Sequence, residues 1–102
     1  MAVTAQERKL LLDGEWIETG EWQEVSSPFS GEPVARVAKA GADHARQALD
    51  AAEQAMSTPL PAHERAAILD RVAALLRDRH DEVAQTISAE AGKPMKAARV
   101  EA

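Results

Sequence analysis

The sequence predicts a mixed α/β fold, with short strands and β-hairpins first and three to four helices after them. Three observations carry that expectation. Turn-closing pairs such as Asp13-Gly14 punctuate the first forty residues, apolar positions fall at helical spacing beyond Gly41, and Pro61 and Pro94 stand where helices restart. A flexible amino terminus is expected over 1–9, short strands and a hairpin over 10–40, and a helical segment over 41–102, all parts of one truncated domain.

The hairpin is the strongest local signal. Leu10-Leu11-Leu12 and Glu15-Trp16-Ile17-Glu18 flank Asp13-Gly14, a pair that tolerates the positive φ angles of a turn whose twist matches its strands. Thr19-Gly20 makes a second turn and Glu21 to Val25 alternates as a third strand. Ser26 to Gly31, with Pro28, reads as loop. Val34 to Ala38 is a fourth strand, begun after Pro33, whose missing N–H is tolerated at a strand's first residue.

Beyond Gly41, Ala45, Ala48, Leu49, Ala52, Ala55 and Met56 share one face of a helix that Asp43 is expected to cap. Thr58-Pro59-Leu60-Pro61 breaks it. Pro61 then opens a second helix, expected to bury Ile68, Leu69, Val72, Leu75 and Leu76. Asp81 is the expected cap of a third helix carrying Val83, Ala84, Ile87 and Ala91, and Gly92 ends it as the left-handed residue beyond its last turn. The stretch from Pro94 to Ala102 begins like a helix and carries no stop signal, so the chain reads as cut off mid-helix, the alternative being an ordinary frayed carboxyl terminus.

Composition excludes several function classes. Of 102 residues, 45% are hydrophobic, yet 22 of those are alanine, which leaves a thin supply of large core side chains and predicts a fold that leans on more protein. A net charge of −5 has the wrong sign for phosphate backbones, so nucleic acid is not an expected partner. Leu10 to Leu12 is the longest run of large apolar residues, too short for a signal peptide or a membrane span, and the cytoplasm is the default compartment. Cysteine is absent, so these residues hold no thiolate ligand and no cysteine nucleophile.

Candidate chemistry is sparse. His63-Glu64 opens like a zinc-helix motif, but Ala67 stands where the second histidine belongs, and His44 and His80 fall in other segments. Gly92-Lys93 ends like a phosphate loop, but Ile87 and Pro94 occupy its required glycine and hydroxyl positions. Glu15, Glu18, Glu21 and Glu24 read as a solvated face rather than an acid–base pair, and Trp16 and Trp22 as core anchors. Composition and spacing alone assemble no reaction and no catalytic residue.

The order of segments says more. Leu11-Leu12-Asp13-Gly14-Glu15-Trp16, Ser27-Pro28-Phe29-Ser30-Gly31-Glu32, the helix from Ala45 to Met56, the segment from Pro61 to Leu76 and Glu90-Ala91-Gly92-Lys93-Pro94 together closely resemble the amino-terminal portion of the NAD(P)-dependent aldehyde dehydrogenase family. The details around Glu90 to Arg99 look most like the bacterial lactaldehyde and phosphonoacetaldehyde dehydrogenases. The resemblance implies a parent oxidoreductase in which a cysteine thiolate attacks the aldehyde, hydride passes to NAD or NADP, and a glutamate-activated water releases the acid. Neither that cysteine nor that glutamate lies in the matched region, so the chain is expected to be inactive by itself and to bind no cofactor alone. Its implied role is a supporting part of the cofactor domain. Its implied partner is the remainder of the dehydrogenase chain, the parent being a homo-oligomer that meets the aldehyde substrate only as a full enzyme.

The resemblance further implies a monovalent-cation site whose matching positions are Val25, Ser26 and Glu90, although Ser26-Ser27-Pro28 replaces the shorter Asn-Pro common in the family. Read from the residues alone, Glu90 is equally a solvated or capping side chain. A different reading, a stand-alone α+β interaction module without catalysis, predicts cooperative unfolding as one unit.

Overall fold

The structure, a computed structural model, describes residues 6–102. Five strands precede four helices: β1 (Gln6–Arg8), β2 (Leu10–Leu12), β3 (Glu15–Ile17), β4 (Trp22–Ser26), β5 (Pro33–Ala38), α1 (Ala42–Met56), α2 (Ala62–Asp78), α3 (His80–Ala91) and α4 (Met95–Glu101). They fall into two compact units. The first holds all five strands and α1, and the second holds α2 to α4 with the loop Ser27–Gly31. The division thus falls after Pro59, whereas the sequence changes period near Gly41.

In the first unit, β2 and β3 form the expected antiparallel hairpin, with Leu12 opposite Glu15 across Asp13 (φ 49°) and Gly14 (φ 79°). Leu10, Leu12 and Ile17 are half-buried, and β2 meets α1. The other sheet runs β1-β5-β4, with β4 antiparallel and β1 parallel to β5. Trp22 stands opposite Ala38, and the Arg36 guanidinium lies 4.7 Å from the centre of its ring, a cation–π contact.

Ahead of the hairpin, Gln6–Arg8 forms β1 by pairing with β5, with Glu7 opposite Arg36 and ion-paired to it; residues 1–5 of the terminus expected to be flexible over 1–9 lie outside those described. Two sequence expectations are corrected here. Trp16 is no core anchor: 64% of it is exposed, since it faces away from α1 on the outer side of the hairpin. Gly41 rather than Asp43 is the residue before α1. Asp43 sits in the first turn and pairs with Arg46, while Nδ1 of His44 accepts the Gly41 N–H at 3.0 Å.

In the second unit, α3 ends at Gly92 in the left-handed conformation (φ 67°), and the Gly92 N–H donates to the Ser88 carbonyl at 2.9 Å. Asp81 lies inside the first turn of α3, not at its cap, because α3 already begins at His80. It bonds Arg99 instead, at 3.2 Å. A further tie fixes α4 on α3, the Nε2–H of His80 donating to the Arg99 carbonyl at 2.8 Å, and Lys93 in the corner between them pairs with Glu101. Between α2 and α3, Arg79 donates two hydrogen bonds to Glu82, which raise its guanidinium pKa above the already high ordinary value.

Ala84 and Ala98 are the fully buried hydrophobic residues among those described. The expected burial of the α2 stripe is corrected: Ile68, Leu69, Val72, Leu75 and Leu76 are 53, 62, 46, 49 and 47% exposed. Their helical spacing is that of a core face, but no described element covers it.

Candidate functional site

The residues that the sequence offers as a cation site lie in both units. Val25 and Ser26 end β4, where the pairing with β5 shifts register and Ser26 comes opposite Pro33. Proline has no N–H, so it offers the Ser26 carbonyl no ladder bond. The Ser26 hydroxyl is turned to Glu24, donating at 3.2 Å. Glu90 lies exposed in the last turn of α3 within the second unit.

The first unit carries one described cleft, of about 450 Å³, between the β2–β3 hairpin and α1. Leu12, Ile17 and Ala51 give it an apolar floor. Asp13, Glu15 and Asp50 supply carboxylates around it, with the amides of Gln47 and Gln54. Among the described residues, no three His, Cys, Asp or Glu side chains come together as a metal site.

In the second unit the loop Ser27–Gly31 packs on the end of α3. The Ser27 hydroxyl accepts the Phe29 and Ser30 N–H groups at 3.3 Å each, and the Gly31 N–H donates to the Ser27 carbonyl at 2.8 Å. A Cβ on Gly92 would stand 2.9 Å from Cγ of Pro28, so this contact demands glycine twice over, by conformation and by space. The Ser88 hydroxyl donates to the Lys93 carbonyl at 2.7 Å and closes the corner before α4. Glu90-Ala91-Gly92-Lys93-Pro94 is therefore a corner that seats a loop.

Apart from Ser26, whose hydroxyl turns to Glu24, these hydroxyls and imidazoles serve the backbone: Ser27 and Ser88 in turns, His44 at a helix start, His80 at the end of α4. Glu15, Glu18, Glu21 and Glu24 are all exposed, as their reading as a solvated face requires. His44 is thus a capping side chain and not a metal ligand, and Gly41-Ala42-Asp43-His44 has the spacing by which a third helical residue reaches back to the residue before the helix.

Along the chain the hairpin comes first, then the seated loop, then the uncovered helical stripe. The sequence profile of the Aldehyde dehydrogenase family matches residues 16–102, and the chain belongs to that family. Among its relatives, succinate-semialdehyde dehydrogenase [NADP(+)] GabD of Escherichia coli is 37% identical over 98 residues, which are 92% of this chain and 20% of that enzyme. Lactaldehyde dehydrogenase of Methanocaldococcus jannaschii is 33% identical over 94 residues, 90% of this chain and 20% of that enzyme. The crystal structure of aldehyde dehydrogenase 21 from Physcomitrella patens in complex with succinate matches with a TM-score of 0.87 at 34% identity, covering 97% of this chain and 21% of that one. The chain thus spans about a fifth of the length of the curated relatives it matches. No helix among the described residues is long and apolar enough to cross a membrane.

Proposed function

We propose that this chain is the amino-terminal structural segment of an enzyme that oxidises an aldehyde to a carboxylic acid with NAD or NADP, contributing packing to a cofactor domain rather than catalytic groups. The observation that carries this reading is the α2 stripe from Ile68 to Leu76, half exposed in a chain whose fully buried described residues are two alanines. Apolar side chains at core spacing with no core around them suit a part of a larger domain. The absence of cysteine agrees, since the thiolate of the family's reaction must then come from other sequence. The parent is read as a cytoplasmic homo-oligomer. Cation binding by Val25, Ser26 and Glu90 belongs to the same reading and rests on donor chemistry: backbone carbonyls and a carboxylate are the oxygens that hard cations take.

The test is the intact mass of the endogenous protein, captured with an antibody raised against residues 61–79. A species several times heavier than 11.0 kDa supports the reading. A species of 11.0 kDa that unfolds with one sharp transition favours the stand-alone interaction module instead.

A further inference from the structure

We propose that Asp13 is a site of spontaneous isoaspartate formation, a modification that would unseat the β2–β3 hairpin. The residue after Asp13 is Gly14, whose amide carries no flanking side chain, and a Cβ built on Gly14 would meet nothing within 4 Å. Both residues are exposed. The Asp13 carboxyl takes part in none of the hydrogen bonds or ion pairs found among the described residues, so no partner holds it away from the backbone. The turn also lies between strands of three residues each, and so short a two-stranded hairpin opens readily.

The chemistry needs no co-reactant. The Gly14 nitrogen attacks Cγ of Asp13 in its protonated form; an N–C bond forms, the C–OH bond breaks, and the hydroxyl leaves as water with the amide proton. Water then opens the resulting five-membered imide. Attack at the former main-chain carbonyl leaves the chain running through Cγ, one carbon longer, with the former main-chain carboxyl as the side group. The composition is unchanged. A turn lengthened in this way no longer sets Leu12 opposite Glu15, and the carboxylate at the edge of the α1 cleft moves with it.

The rest of the chain supplies internal controls. Asp43, Asp50, Asp70, Asp78 and Asp81 all lie within α1, α2 or α3, where helical backbone keeps the next amide away from the carboxyl carbon, and the sequence contains no asparagine. The purified full chain is aged at neutral pH and body temperature, digested, and scored for isoaspartate at each aspartate by electron-transfer fragmentation. The expected result is isoaspartate at Asp13 an order of magnitude above each helical aspartate, abolished in Asp13→Glu. Asp13 remaining at the level of the helical aspartates overturns the proposal. So does conversion that occurs only in urea, because the folded turn would then be holding the nucleophile out of reach.

Discussion

Nδ1 of His44 accepts the Gly41 N–H at 3.0 Å, so a side chain in the first turn of α1 satisfies the residue before it. This is half of a capping box, with imidazole in place of the usual glutamate. Gly41 has no side chain with which to complete the other half.

His44→Ala removes that acceptor and is expected to cost the start of α1 about 0.5–2 kcal/mol, the range for lost helix caps. Amide hydrogen exchange over residues 41–45 is the readout, with faster exchange in the variant. His44→Glu should restore protection, because a glutamate there reaches the same N–H. Unchanged exchange in His44→Ala would show that the bond holds nothing in place.

Gly92 supports two things at once, the left-handed end of α3 and the approach of Pro28. Gly92→Ala must hold a Cβ at positive φ, at a cost of about 1–3 kcal/mol, and must also push the proline away. The expected outcome is loss of amide protection in both Ser27–Gly31 and the last turn of α3. Fraying of α3 alone, with the loop still protected, would show that the loop does not depend on this contact.

The chain alone is expected to form no NADH or NADPH when mixed with a small aldehyde and either oxidised cofactor. No position holds cysteine, and Ser27, Ser88, His44 and His80 are engaged with backbone groups in turns and at helix ends. Absorbance of the reduced nicotinamide checks this, and aldehyde-dependent turnover by the purified chain would sink the structural role.

Local rules made much of this molecule legible. Asp13-Gly14 announced its hairpin and Gly92 its helix end because each carries its conformational requirement in its own chemistry. What local rules missed depended on distant partners. Gln6–Arg8 is a strand only because β5 lies beside it, and nothing within Gln-Glu-Arg signals that. Trp16 and the α2 leucines have the composition of a core, yet burial is decided by what else is present. The candidate site was legible only as a family pattern: the Glu90 to Pro94 run could be matched, but its seating of Pro28 could not be read from spacing.

The α2 stripe yields the sharpest prediction, because its two environments reverse the sign of one substitution. Leu69 and Leu76 share a face and are 62 and 47% exposed in this chain. Changing both to glutamine removes exposed apolar surface without opening a cavity, so the isolated chain should bind less hydrophobic dye, sediment as smaller species and keep its helical content. In a longer dehydrogenase chain where that face is covered, the same pair would lose packing and strand two amides, at a cost of roughly 2–5 kcal/mol per buried leucine truncated. Soluble yield and thermal stability of the longer chain should then fall. Improvement or neutrality in both contexts would mean that the stripe faces water in both, and would remove the observation on which the structural role rests.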